Sequence, residues 1–212
     1  MSMDSGAPTR MELMAKRAQI KLASDGVSLL EGKREALLQE LIERAKQLRD
    51  LRGLLHERGR RALGRLTFAR ANRGTAEVRS AGTAGRRELD LEVTSERVWG
   101  MSLGHILGKN VVRAPQDRGV GLMDTSSHVL EAGVSAEEML DQLVKCAPLE
   151  RNLQILGEEI KKTNRRINAL NEYLLPKLYG EVRRIQSVLE EREREDTFRL
   201  KKIKKTKSKD KK

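Results

Sequence analysis

Apolar residues recur at alternating steps of three and four along both ends of this chain, and residues 72–133, which lie between the two runs, lack that rhythm. Such spacing belongs to helices that wind around one another. From Leu13 the first run passes through Lys16, Ile20, Ala23, Val27, Leu30, Arg34, Leu37, Leu41, Arg44, Leu48, Leu51, Leu55, Arg58 and Ala62. The exceptions are Lys or Arg, whose stems lie along apolar surface while the charge stays in water. Thr9 and Glu12 have the spacing of a capping box, with Pro8 and Leu13 placed as a staple. The pattern predicts a helix over 9–71, roughly 90 Å long at the α-helical rise. Its glycines (Gly26, Gly32, Gly53, Gly59, Gly64) each cost up to about 1 kcal/mol relative to alanine. Such a helix needs a partner.

The partner is the second run: Leu149, Leu153, Leu156, Ile160, Thr163, Ile167, Leu170 and Leu174. The spacing then slips to fours at Leu178 and Val182 before Ile185 and Leu189 resume the rhythm. An added four-residue step is a stutter, which locally unwinds a coiled coil. It falls at Pro176, where a helix hydrogen bond is lost and a kink is expected. Ser135 with Glu138 forms a second capping box, so the second helix is expected over 135–205, with a further kink near Pro148. The fold class predicted is mainly α: a long antiparallel two-helix coiled coil from the N- and C-terminal segments, with a small β-hairpin in a middle region, 72–134. The seam is expected to centre on Leu30, Leu37, Leu41, Leu48 and Leu51 from one helix and Leu156, Ile160, Ile167, Leu170 and Leu174 from the other.

Composition supports a thin seam over a thick core. Aromatic residues are 2% of the chain and charged residues 35%. Of the formal net charge of +12, residues 201–212 supply +7, from eight lysines against one aspartate. Residues 206–212 read as a basic disordered tail, with contact to an acidic protein surface or to nucleic acid as the alternative. Cys146 is the only cysteine, so no internal disulfide is possible and a reducing compartment is expected. No signal-type apolar run opens the sequence, and no stretch approaches the eighteen consecutive apolar residues of a membrane span. Membrane association is expected only through partners.

In the middle region, Asn72-Arg73-Gly74 and Ser80–Gly85 are turn-rich. Leu89, Leu91 and Val93 alternate with Glu88, Asp90 and Glu92, which predicts a strand with one dry and one acidic face. Val111-Val112 is a candidate second strand. Trp99, the only tryptophan, reads as a packing anchor of this cap, with a partner-facing role as the alternative.

Catalytic chemistry finds no foothold. His56, His105 and His128 are far apart in sequence, and none has a metal-ligand spacing with Cys146. In Gly104–Lys109 three residues separate the glycines where a phosphate loop needs four, and Asn110 stands where Ser or Thr would hold magnesium. No G-x-S-x-G motif appears. No catalytic, cofactor-binding or metal residue is therefore nominated, and no cofactor is expected.

Two C-terminal runs are more specific than any periodicity: GEEIKKTNRRINALNEYLLPKL, from Gly157 to Leu178, and LEEREREDTFRLKKIK, from Leu189 to Lys204. With Pro8-Thr9-Arg10 and Val98-Trp99-Gly100, they make the chain closely resemble the D-subunit family of V-type and archaeal A-type rotary ATPases and ATP synthases. The resemblance is strongest over the last sixty residues, roughly, and weakest over 72–133. It implies a non-catalytic rotor axle in the central stalk. Its partners would be the catalytic A and B subunits of the head, the F subunit, and the C (d-type) subunit above the membrane ring. It implies a peripheral place on the cytoplasmic face of the membrane, coupling ATP synthesis or hydrolysis to proton or sodium movement, with no direct nucleotide and no membrane insertion. It also nominates Arg192, Arg194, Asp196 and Arg199, with Arg10 and Arg17 near the same end, as contacts with the head. Without the resemblance, the alternating charges of Glu190–Arg199 read as i,i+4 pairs on a solvated helix. The competing readings are a coiled-coil tether or adaptor and a coiled coil that binds nucleic acid through its lysines.

Overall fold

The structure is a computed structural model that describes residues 8–108, 110–119, 121 and 125–209. In chain order it contains α1 (Arg10–Ala84), β1 (Leu91–Val98), β2 (Met101–Gly108), a 3-10 turn (Pro115–Arg118), α2 (Ser127–Asn168), a π-helical turn (Ala169–Leu174) and α3 (Leu175–Lys209). Contacts divide the chain into two compact units, Met1–Ala36 with Ile160–Lys212, and Leu37–Glu159.

In the first unit the start of α1 lies antiparallel to α3. Arg10 meets Glu193 at 2.6 Å and Lys16 meets Glu181 at 2.7 Å, so numbers rise on one helix as they fall on the other. Thr9 caps α1: its Oγ1 accepts the N–H of Glu12 at 3.1 Å. Val27, Ile160, Ile167, Leu178, Val182 and Ile185 are buried between the helices, and Thr163 lies buried among them. The π turn falls at the expected stutter. The N–H of Leu175 donates to the carbonyl of Leu170, five residues back, and Pro176 follows in the first turn of α3, where a missing N–H costs least.

In the second unit the rest of α1 lies antiparallel to α2. Arg52 pairs with Glu150 at 2.5 Å, Arg58 with Asp141 at 3.8 Å, and Arg65 Nη1 donates to Ser135 Oγ at 2.7 Å. Leu37, Leu48, Ala62, Cys146 and Leu156 are buried. α1 is broken at Gly74, whose φ of 79° and ψ of 165° no other residue type adopts readily. Beyond the break, Val78 and Ala81 pack against a small core of Ala69, Val129 and Ala132. The hairpin pairs Leu91 with Gly108 through Val98 with Met101, antiparallel throughout. Trp99 and Gly100, at φ of 53° and 82°, form a turn with both central residues at positive φ, the kind whose twist suits a two-residue hairpin.

Several sequence expectations are corrected here. Helix resumes after Gly74 and runs to Ala84 rather than ending at residue 71, because the alanine-rich stretch has an apolar face to bury. The second helix starts at Ser127, not Ser135. Ser135 is 1% exposed inside α2, and its hydroxyl donates back to the carbonyl of Glu131 at 2.8 Å instead of capping. Pro148 lies within the continuous α2. Val93 is 74% exposed, so the alternating strand has no dry face; the buried hairpin residues are Met101 and Leu103 of β2. Val111-Val112 is not a strand; Val111 is buried, and its carbonyl accepts from Arg87 at 2.7 Å. Trp99 is 57% exposed, which removes the packing-anchor reading. Helix continues through residues 206–209 where a disordered tail was expected, and residues 210–212 lie outside the described residues.

Candidate partner-binding surface

α1 and α3 bring four of the six nominated contact residues into two local groups. Arg10 Nη2 lies 2.6 Å from Glu193 Oε1, and Arg192 Nη1 donates to the carbonyl of Pro8 at 3.1 Å, so Arg10 and Arg192 sit at the same end of the helix pair. Two turns further along α3, Arg199 reaches back to Glu195 at 3.8 Å and Asp196 at 3.9 Å. Arg194 pairs along its own helix with Glu190 at 3.8 Å. Arg17 is exposed and enters none of these pairs. The side chains of Arg10, Arg194, Asp196 and Arg199 are themselves more than two-thirds exposed. Pairs this wet contribute at most about 1 kcal/mol each, so a partner can exchange them cheaply.

Lys16 and Glu181 behave differently because both are about three-quarters covered. The hydrogen bond from Lys16, helped by the nearby charges of Lys16, Lys177 and Arg184, holds the Glu181 carboxyl below its ordinary range despite some burial. This pair pins the antiparallel register from within.

A second kind of surface lies outside the nominated contacts. Met11, Met14, Leu22 and Leu29 are 78%, 68%, 74% and 76% exposed. With the exposed Ala18 they fall on one stripe of α1, on the side opposite Leu13, Ile20 and Val27. Steps of three, four, four and seven are legible in the sequence once the seam is subtracted. Phe198, Leu200 and Ile203 are also exposed on α3. A helix with apolar rows on opposite faces has one row more than its intramolecular partner covers.

The ten residues expected on the seam differ in how far they are covered. Leu37, Leu48, Leu156, Ile160 and Ile167 are buried, while Leu30, Leu41, Leu51, Leu170 and Leu174 are half-buried. Among the described residues no group of three or more His, Cys, Asp or Glu is placed to hold a metal ion, and no helix is long and apolar enough to cross a membrane.

Paired antiparallel helices with wet ionic flanks and a small hairpin define a mainly α, coiled-coil protein. The sequence from residue 12 to residue 205 matches the family described as the D subunit of ATP synthase, and the chain belongs to that family. It is 36% identical over 202 residues to a V-type ATP synthase D subunit of Thermus thermophilus, covering 95% of this chain and 89% of the relative. It is 37% identical over 197 residues to an A-type ATP synthase D subunit of Haloarcula marismortui, covering 93% and 86%. It is 39% identical over 195 residues to a V-type ATP synthase D subunit of Anaeromyxobacter sp., covering 92% and 91%.

Proposed function

We propose that the chain is the non-catalytic central-stalk subunit, the rotor shaft, of a V-type/A-type ATP synthase. It couples ATP synthesis or hydrolysis in a head of A and B subunits to proton or sodium movement through a membrane ring. The F subunit and the C (d-type) subunit are its further partners, and it sits peripherally on the cytoplasmic face of the membrane. The observation that carries this reading is family membership over nearly the whole chain, together with paired helices whose seam is buried and whose outer surface is not.

The physical fit is direct. Torque must pass along the shaft without loss, and paired helices with continuous backbone hydrogen bonds and a shared apolar seam resist twisting. The head is gripped by Arg10, Arg17, Arg192, Arg194, Asp196 and Arg199, with the stripe of Met11, Met14, Leu22 and Leu29 supplying apolar contact area. Exposed ion pairs that exchange cheaply suit a surface that slides past successive subunits.

Reconstitution with the A and B subunits tests this reading. One copy per hexamer is expected, with ATP hydrolysis coupled to rotation. An Arg192→Glu/Arg199→Glu variant should remain folded, because both residues are exposed, yet lose coupling. Full ATP-driven rotation in that variant would reject the assigned contacts, and failure of the chain to enter the hexamer would favour the tether reading.

A further inference from the structure

The hairpin has two outer edges, and only one of them is closed. Val98 and Met101 flank the two-residue turn of Trp99 and Gly100, so they form its hydrogen-bonded closing pair. Glu96 with Leu103, Thr94 with His105 and Glu92 with Leu107 bond across the hairpin in the same way. The backbone groups of the residues between these pairs point outward. On β2 the outward N–H and carbonyl of Gly104 are both taken by the Asn152 amide at 2.9 Å. On β1 the outward groups belong to Val93, Ser95 and Arg97, and among the described residues no group bonds to them.

β1 also lacks most of the devices that keep such an edge unpaired. It contains no proline, glycine or lysine, and it pairs residue for residue with β2 without a bulge. Its side chains fall into two rows. Glu92, Thr94 and Glu96 make one row, and all three are exposed. Glu96 is 68% exposed, and its charged neighbour is His105 of β2, at 3.5 Å. Leu91, Val93, Ser95 and Arg97 make the other row, with Ile106 directly across from Val93. Val93 is 74% exposed. A strand laid along this edge would set alternate side chains beside two carboxylates and beside an uncovered apolar pair, Leu91 and Val93.

We propose that the free edge of β1 accepts an extended segment of another chain as a third strand, one that alternates lysine or arginine with apolar residues. Main-chain bonds to Val93, Ser95 and Arg97 hold it, and the two rows of β1 choose its sequence. A second copy of β1 fits less well, because it would add its own Glu92 and Glu96 to a row that is already acidic. The inference goes beyond the stalk reading and does not depend on it, since the test uses the chain alone.

Fluorescence anisotropy of the full chain with a labelled, end-capped heptapeptide of alternating lysine and valine is the test. Saturable binding is expected, about fivefold tighter or more than for the same peptide with threonine in place of lysine. N-methylation of all the valines blocks one edge of the peptide, and N-methylation of all the lysines blocks the other. One of these two forms should lose binding while the other keeps it. In Ser95→Pro the ring replaces an outward N–H and leaves the ladder to β2 intact, so binding should fall about tenfold. Hydrogen-exchange protection at the Gly104 amide verifies that the hairpin persists. Glu92→Lys/Glu96→Lys changes exposed positions only, and gives a second arm: it should bind the threonine peptide at least as well as the lysine peptide. Absence of saturable binding, equal effects of the two N-methylations, unchanged binding in Ser95→Pro, or a lysine preference kept by the double variant overturns the site. So does a dimer of the chain in sedimentation that Ser95→Pro dissolves.

Discussion

The side-chain amide of Asn152 exchanges two hydrogen bonds with the backbone of Gly104. Nδ2 donates to the Gly104 carbonyl and Oδ1 accepts the Gly104 N–H, each at 2.9 Å. Asn152 is 0% exposed. Gly104 lies opposite Ser95 in the hairpin, and its outward-facing groups would otherwise form an open sheet edge. The amide of a helix side chain thus acts as one residue of a third strand and fastens the hairpin to α2.

Replacing Asn152 by leucine should show what that fastening contributes. The swap keeps the approximate volume but leaves a buried N–H and a buried C=O unpaired, a cost of about 1–3 kcal/mol for each unsatisfied group. The expected outcome is a lower melting temperature and, specifically, loss of protection at the Gly104 amide in hydrogen exchange. Asn152→Asp should fall short of wild type as well, since a carboxylate accepts the N–H but cannot donate to the carbonyl. Unchanged protection at Gly104 in the leucine variant would mean that the hairpin is held by Met101 and Leu103 alone.

Gly74 and Gly53 make a contrasting pair. A Cβ at either position would meet nothing within 4 Å, so packing does not distinguish them. The backbone does: Gly74 has φ of 79°, whereas Gly53 lies within the regular part of α1. Gly74→Ala should therefore destabilise by about 1–3 kcal/mol through strain. Gly53→Ala should stabilise by up to about 1 kcal/mol through helix propensity and a less flexible unfolded chain. Urea denaturation of the two variants side by side measures both signs.

Glu137 ties the stability of the second unit to pH. Burial pushes its carboxyl up, but the hydrogen bonds from the N–H and guanidinium of Arg113 and the charges of Arg118 and Arg113 together outweigh burial and hold it below its ordinary value. A carboxyl lowered by folding contributes stability that is fully present above the unfolded-chain value of about 4.3. That stability is lost as the pH falls through the folded value. Melting temperature should drop with acidification in that window, and Glu137→Gln should flatten this part of the profile. Glu137→Leu should be worse at neutral pH, by about 3–5 kcal/mol, because it leaves two covered guanidinium groups without their carboxylate. A parallel pH profile for wild type and Glu137→Gln would show that Glu137 titrates alike in folded and unfolded chains.

How far the sequence reaches follows from the range of the forces involved. The three-four rhythm records burial against a neighbouring helix, so the antiparallel pairing and residues such as Leu37, Leu156 and Ile160 are legible from spacing. Gly74 is legible too, as a turn signal that falls at a real break in α1. The hairpin is only half legible. Residues 88–93 alternate, but which side of a strand is buried depends on what lies beside it, and here the contact is made by Met101, Leu103 and the amide of Asn152. Ser135 shows the same limit: a capping-box spacing is local, and the carbonyl of Glu131 and the guanidinium of Arg65 competed for its hydroxyl. For the candidate surface, the family resemblance nominated Arg192 and Arg199, whose alternating charges alone read as pairing along a solvated helix, while the stripe from Met11 to Leu29 emerges only after the seam has been assigned. The Arg113–Glu137–Arg118 cluster joins three residues from two segments and carries no local signal.

The π turn beside Pro176 offers the sharpest test of how the seam is kept in register. From Leu170 the apolar row advances in three steps of four, to Leu174, Leu178 and Val182. In a regular α-helix each such step carries the row about 40° past a full turn, or about 120° after three, which would turn Val182 and Ile185 away from α1. A π turn holds one residue more than an α turn and so takes back about 100°. Leu178, Val182 and Ile185 are 6%, 8% and 2% exposed, so the row has indeed returned to the seam. Deleting the exposed Asn171 should remove the need for the π turn and restore three-four spacing. In the regular helix that results, the ring of Pro176 meets a carbonyl four residues back, at a cost of up to about 3 kcal/mol. The deletion combined with Pro176→Ala should therefore melt at or above the wild-type temperature, whereas the deletion alone should melt below it. Deleting Arg183, also exposed, should be the most damaging of the three, because it falls in the regular part of α3 and rotates Ile185 and Leu189 out of the seam, where no extra residue is held in a π turn to absorb the change. If deletion of Asn171 with Pro176→Ala proved as damaging as deletion of Arg183, the π turn would be a consequence of the proline rather than the device that keeps the two helices aligned.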